Sequence, residues 1–426
     1  MKNQLKKETL LVQSLEPFSE GEPRVYPLVQ STTFNFTDPE IVGELFDLKR
    51  SGDMYSRISN PTVNAFENKM AALEHGVGAV AVSSGQAATT AAILNICESG
   101  DSVLATATLY GGTHTLLDST LRKLGIETIF VDPLAPLDEL SKSIKPNTKL
   151  VFAETIGNPG MNILDFEKFE KLAHQNNIPL VIDNTIATPY LCNPFDFGAD
   201  IIVHSTTKYI DGQGSVVGGC VVDSGNFDWE KSGKFPCLVE PDPAYHGLSY
   251  TKAFGKSAYI TKARTNILRD YGMTMSAFNA FMYLRGLESL HVRMDRHCEN
   301  ALKVAKYLEQ NDKVSWVNYS ALENDKYHEL QQKYLPKGCS GMILFGLKGG
   351  AEAGIKLTKG LSMIKNAVHL GDVRTCLLHP AGTTHRQLTP EQQIEAGVLP
   401  EAIRINVGIE NIDDILADLK QAFDKI

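Results

Sequence analysis

Ala199-Asp200-Ile201-Ile202-Val203-His204-Ser205-Thr206-Thr207-Lys208 is the stretch that decides how this chain folds. Its first half is short, apolar and rich in β-branched residues, which reads as a buried strand. Its second half delivers three hydroxyls and one lysine to the end of that strand. In open α/β sheets, ligands gather outside the carboxyl ends of the strands. Taken alone, the last residues read more readily as a surface turn with a solvated lysine, because lysine is rarely buried. The chain around them changes that reading.

Upstream, the same pattern recurs. Gly78–Ser83, Asp101–Thr106, Ile126–Val131, Lys149–Glu154 and Ile178–Thr185 are apolar runs of strand length. Between them lie stretches with helical spacing: the segment after Pro61, the alanine-rich run to about Cys97, residues 113–124, and Asp165 to Asn176, where Phe166, Phe169, Leu172 and Ala173 share a face. Asn60 or Ser59 suits a helix cap with Pro61 at the first helical position, and Asp165 suits another cap. Strands alternating with helices predict an α/β fold with a mostly parallel sheet of seven strands and helices on both faces. The seventh strand, Val216–Val222, follows a short connection and is expected to run antiparallel.

From about Ala253 to Leu308 the chain reads as helical. Strands at Gly341–Leu347 and Ile403–Gly408 and helices at 351–361 and Ile412–Phe423 then predict a smaller α+β domain. In the last helix Ile412, Ile415, Leu416, Leu419 and Phe423 lie on one side. Pro17, Pro23, Pro27 and Pro39 break up the beginning of the chain. The expected division is an N-terminal arm (1–62), a large domain (63–255) and a C-terminal domain (256–426), with the arm packing on a neighbouring subunit.

With 426 residues, 43% hydrophobic and 21% charged, the chain is expected to be a globular protein of more than one domain. A net charge of −9 argues against a nucleic-acid partner, which demands basic patches. No apolar run approaches the roughly 20 residues that cross a bilayer. The charged start, Met1 to Lys7, lacks the apolar segment of a signal peptide, so a cytoplasmic location is expected. Seven cysteines at wide spacing, with no C-x-x-C, read as free thiols rather than disulfides or a zinc site. No metal is expected.

Five features carry chemistry. Ser84-Gly85-Gln86 stands between a strand and a helix start, where free N–H groups and the helix dipole favour an anion, although a plain connection has the same form. It matches neither G-x-G-x-x-G nor a Walker A loop. Tyr110-Gly111-Gly112 follows another strand; it is either a simple turn or an aromatic laid over a bound ring. Asp183 closes an apolar strand and needs a hydrogen-bonding or cationic partner if buried. Arg404 stands among apolar residues and calls for an anion, either an internal carboxylate or a ligand's. The fifth is Lys208. Pyridoxal 5'-phosphate (PLP) is an aldehyde that bears a phosphate, and lysine amines form Schiff bases with carbonyls. A PLP site requires that lysine, an acid for the ring nitrogen, a phosphate cup, a ring cover and an arginine for an amino-acid carboxylate. Lys208, Asp183, the Ser84–Gln86 turn with Ser205 and Thr207, Tyr110 and Arg404 meet those needs together.

Over nearly its whole length the sequence also resembles the Cys/Met-metabolism PLP enzymes of fold type I. The resemblance rests on Tyr55-Ser56-Arg57-Ile58-Ser59-Asn60-Pro61-Thr62, Ser83-Ser84-Gly85-Gln86-Ala87, Asp183-Asn184-Thr185 and Ser205-Thr206-Thr207-Lys208-Tyr209. Glu240-Pro241-Asp242-Pro243-Ala244-Tyr245-His246-Gly247 and His379-Pro380-Ala381-Gly382-Thr383-Thr384-His385 resemble the O-acetylhomoserine sulfhydrylase branch.

The resemblance implies a PLP-dependent transferase that replaces the γ-substituent of O-acetylhomoserine with sulfide or a thiol, giving homocysteine and acetate, in methionine biosynthesis. It implies that Tyr55 and Arg57, by themselves ordinary surface residues, reach the phosphate of a neighbouring subunit's cofactor in a homotetramer of catalytic dimers. It adds Thr185 to the cofactor residues, Asn158 to both cofactor and substrate, and Tyr55 to the substrate side. Methionine γ-lyase and cystathionine γ-synthase activities belong to the same fold. Related lyases carry a cysteine where this chain has Gly112, which disfavours the lyase. Relatives tend to carry a small polar residue where His369 stands, so His369 is expected to shape the substrate pocket differently.

Overall fold

The computed structural model describes residues 5–13, 20–384, 386, 389–395 and 398–426. Pro17 of the arm and His385 of the second branch motif lie outside the described residues. Seven strands form the large sheet: β1 (Gly78–Val82), β2 (Ser102–Thr106), β3 (Glu127–Val131), β4 (Thr148–Glu154), β5 (Leu180–Asp183), β6 (Ile201–His204) and β7 (Gly219–Asp223), in the order β1-β7-β6-β5-β4-β2-β3. All pairings from β6 through β3 are parallel, whereas β7 pairs antiparallel with both β6 and β1.

The strands alternate with a period of two, and both faces are apolar. Val103, Phe152, Val181 and Ile201 pack into one core, while Leu104, Val151, Ile182 and Ile202 pack into the other. A strand buried on both sides therefore reads as continuously hydrophobic. The connecting helices begin as their sequences dictate. Asn60 caps the helix Pro61–Glu74 by accepting the Thr62 N–H, with Pro61 in the first turn. Ser84 caps Gly85–Leu94 through the Ala87 N–H. Asp165 does not cap Phe166–His174; its carboxylate accepts the Tyr334 hydroxyl at 3.0 Å instead.

The second sheet has five strands: β8 (Val314–Asn318), β9 (Met342–Leu347), β10 (Lys365–Asn366), β11 (Cys376–Leu378) and β12 (Ala402–Asn406), in the order β10-β11-β12-β9-β8. β8, β10 and β11 were not apparent as strands from sequence patterning. Tyr209, fully buried, ties this sheet to the first. Its hydroxyl donates to Asn406 Oδ1 at 2.9 Å and accepts the Gly341 N–H at 3.0 Å. Lys208 and β12 are thereby fixed relative to each other. The arm is less irregular than its prolines imply, for it holds short helices at Lys7–Val12 and Pro39–Phe46. Pro39 starts the second of these rather than breaking it, because a first-turn residue needs no intrahelical N–H bond, and Asp38 caps it. All seven cysteines are free, and six are buried.

Candidate active site

A cavity of about 310 Å³ opens at the carboxyl ends of β2, β4, β5 and β6 and is closed on one side by β12. Each strand delivers a group to it. β6 runs into Ser205, Thr207 and Lys208; β5 ends in Asp183, followed by Thr185; the segment after β4 supplies Asn158; β12 supplies Arg404. Ser84, Gly85, Gln86, Tyr110 and His369 complete the set of sequence-expected residues in its wall. Tyr55 and Arg57 are not brought to this chain's cavity. The Arg57 guanidinium stacks 5.3 Å from the Tyr55 ring centroid, Arg57 bonds to the Arg269 carbonyl, and Tyr55 is 38% exposed.

The Ser84–Gln86 turn lies against the end of β6 so closely that a Cβ on Gly85 would sit 2.5 Å from Ser205 Cβ. Only glycine permits that approach, which places the first-turn N–H groups of the helix beside the Ser205 and Thr207 side chains. Thr207 Oγ1 is oriented by the Gly218 N–H at 3.1 Å, and the Ser205 N–H donates to Thr185 Oγ1 at 2.8 Å. Tyr110 stands partly exposed at the cavity. A Cβ on Gly112 would lie 2.6 Å from its ring, so Tyr110 holds this position only because residue 112 is glycine.

Burial pushes the Lys208 amine down to about 8, and the Arg404 charge adds to the effect. Asp183 faces the cavity with its Oδ1 accepting the Thr185 N–H at 2.9 Å; burial raises its carboxyl above the usual range, opposed by the bonds to Thr185. No cation pairs with Asp183 among the described residues. Arg404 is buried, yet its partners are neutral: Nη1 donates to Asn158 Oδ1 and Nη2 to the His369 carbonyl, each at 3.0 Å. An arginine held by neutral acceptors keeps its charge available for an anion in the cavity. Burial and the nearby Lys208 charge lower the His369 imidazole, so it is neutral at physiological pH.

Sequence reasoning passed over Glu154, the last residue of β4. It lines the cavity, is 5% exposed, and is the register partner of Asp183. Its oxygens accept the N–H groups of Tyr110 (2.8 Å) and Asn158 (3.0 Å). Burial and the Asp183 charge push its carboxyl well above the usual range, against the pull of those two bonds. The signal that marked Asp183, a carboxylate closing an apolar strand, was equally present here.

The donor set fits PLP. A hydroxyl-lined helix start suits an anion, a buried carboxylate without a cation lines the cavity, an amine of lowered basicity stands in the wall, and a guanidinium lies in the wall with them.

Comparison with known proteins agrees. The model of the family described as Cys/Met metabolism PLP-dependent enzyme matches residues 8–424. A homocysteine synthase of Schizosaccharomyces pombe is 46% identical over 96% of each chain. An O-acetyl-L-homoserine sulfhydrylase of Leptospira meyeri is 44% identical over 100% of this chain and 98% of its own. The crystal structure of a Campylobacter jejuni protein described as an O-acetylhomoserine (thiol)-lyase, which contains N'-pyridoxyl-lysine-5'-monophosphate, superposes with a TM-score of 0.96 at 37% identity, covering 99% of this chain and 100% of that one.

Proposed function

Because the chain belongs to the Cys/Met-metabolism PLP-dependent enzymes, we propose that it replaces the acetoxy group of O-acetyl-L-homoserine with sulfide or a thiol, yielding L-homocysteine (or its thioether) and acetate in methionine biosynthesis. One observation carries the reading: a lysine, a carboxylate without a cation, an anion cradle and a neutrally held arginine converge on a single cavity, in a chain that matches named homocysteine synthases and sulfhydrylases end to end.

PLP, when bound, supplies an electron sink for the bond broken at the amino acid's α-carbon. The chain's own residues do the rest. The first-turn N–H groups after Ser84, with Ser205 and Thr207, hold the phosphate. Thr185 braces the end of β6 and, with Asn158, borders the ring. Tyr110 covers the ring, and Asp183 accepts the hydrogen of the ring nitrogen and keeps it protonated. Arg404, braced by Asn158, takes the substrate carboxylate in its fork and so fixes which bond at Cα faces Lys208. Lys208, with basicity close to neutral pH, removes the Cα proton as general base, and a further proton leaves Cβ. Acetate then leaves Cγ, sulfur takes its place, and both carbons are reprotonated, with Tyr110 assisting proton transfer. His369 borders the substrate side.

The same reading makes the enzyme a homotetramer of catalytic dimers acting in the cytoplasm. Tyr55 and Arg57 complete the phosphate and substrate side of a second copy's cavity. Support comes from their exposure outside their own.

The test is purified holoenzyme with O-acetylhomoserine, with and without sulfide. Sulfide-dependent homocysteine and stoichiometric acetate are expected. Ammonia and 2-oxobutyrate as main products in both tubes would overturn the transferase in favour of a lyase. O-succinylhomoserine run in parallel tests the acyl preference.

A further inference from the structure

A carboxylate buried without a cation is costly unless its hydrogen bonds are worth keeping. Glu154 is such a group: no ion pair reaches it among the described residues, and its partners are two backbone N–H groups. Those two N–H groups belong to separate loops. Tyr110 follows β2, whereas Asn158 follows β4. Asn158 in turn accepts from Arg404, which comes from the other sheet. The links form one chain: Tyr110 N–H to Glu154, Glu154 to Asn158 N–H, Asn158 Oδ1 to Arg404 Nη1.

The geometry points to Glu154 as the positioning residue of this site: its one carboxylate sets both the ring-covering Tyr110 and, through Asn158, the carboxylate-binding Arg404. This deepens the function proposed above and rests on it for the identity of the substrate. The residue type follows from the donors. Two N–H groups converge on one side chain, one on each oxygen, and a carboxyl group offers two oxygens to accept them. Glutamine has the same shape but one acceptor; its NH2 would face one of the two N–H groups, donor against donor. Glu154 and Asp183 are also side by side. A cation bound at Asp183 balances the charge that Asp183 otherwise exerts on Glu154.

The experiment compares wild-type and Glu154→Gln holoenzyme, with Asn158→Ala and the double variant completing a cycle. Three quantities are read: PLP dissociation constant, visible circular dichroism of bound PLP, and KM against kcat for O-acetylhomoserine. Glu154→Gln is expected to raise KM about 10- to 100-fold, the range for orphaning one buried hydrogen-bonding group, and to change the visible dichroism as Tyr110 shifts. In the Asn158→Ala background it should add less than about 3-fold to KM, because both substitutions break the same link to Arg404. KM and dichroism within about 2-fold of wild type, or KM effects that multiply fully, would overturn the proposal. Should Glu154→Gln not fold, Glu154→Asp retains the charge but retracts it by one methylene and is run through the same cycle with the same expectations. The dichroism and PLP affinity need no substrate. A wild-type enzyme without sulfide-dependent turnover would therefore sink the proposed function, while these two readouts still decide the role of Glu154.

Discussion

Replacing Arg404 with lysine asks the most of the substrate side of the site. The guanidinium gives one hydrogen from Nη1 to Asn158 Oδ1 and one from Nη2 to the His369 carbonyl. The second hydrogen on each nitrogen remains for a ligand, which is the two-pronged arrangement that matches a carboxylate. A lysine ammonium retains the charge but not the fork, so one of two charge-assisted hydrogen bonds to the substrate is lost. Such a bond contributes about 1.5–3 kcal/mol. At 1.4 kcal/mol per decade, kcat/KM for O-acetylhomoserine should fall roughly 10- to 150-fold. The loss should lie largely in KM if the carboxylate is held equally in ground and transition states. PLP affinity should be unchanged, since the proposed partner of Arg404 is the amino acid's carboxylate rather than the phosphate. Steady-state kinetics at saturating sulfide, with a PLP titration alongside, measure both. A kcat/KM within 3-fold of wild type at intact PLP affinity would refute the assignment of Arg404 to the carboxylate.

The Lys208 amine, lowered to about 8, makes PLP uptake by apoenzyme pH-dependent. Only the neutral amine attacks the aldehyde, so the rate should rise with pH and level off above about 8; stopped-flow absorbance gives the profile, and a rise continuing to pH 10 would contradict it. Asp183→Ala should remain folded by circular dichroism yet lose on the order of 10²-fold or more in kcat, the scale of losing one electrostatic group in a preorganised site; near-normal turnover would remove Asp183 from its role. Tyr209→Phe takes away the hydroxyl that serves Asn406 Oδ1 and the Gly341 N–H, leaving a buried donor orphaned. It should cost about 1–3 kcal/mol in denaturant unfolding. A change below 0.5 kcal/mol would mean that the tie between the sheets is not made by that hydroxyl.

What the sequence disclosed and what it withheld divide along one physical line. The large sheet was legible because its strands are buried on both faces, so that Ile201, Ile202 and Val203 announce themselves without knowledge of their neighbours. Lys208, Asp183 and the Ser84 turn were legible because each stands where such a strand stops. Two strands of the smaller sheet, Lys365–Asn366 at its edge and Cys376–Leu378 beside it, are two and three residues long. They exist through pairing with β12 and its neighbours, which no local pattern encodes. Pro39 and Asp165 went the other way: each has a strong local meaning that context reassigned, one as a helix start and the other as a partner of Tyr334. Glu154 is the instructive case. Its position at the end of β4 was visible, and so was that of Asp183 at the end of β5. Only Asp183 was taken up, because one acid for the ring nitrogen met the need. The register that puts the two carboxylates side by side, and the two loops that converge on one of them, exist only in three dimensions. A strand-ending carboxylate in an otherwise apolar parallel sheet is thus worth following whether or not a motif marks it. Burial forces it to find partners, and at the carboxyl edge of such a sheet those partners belong to the loops that build the site.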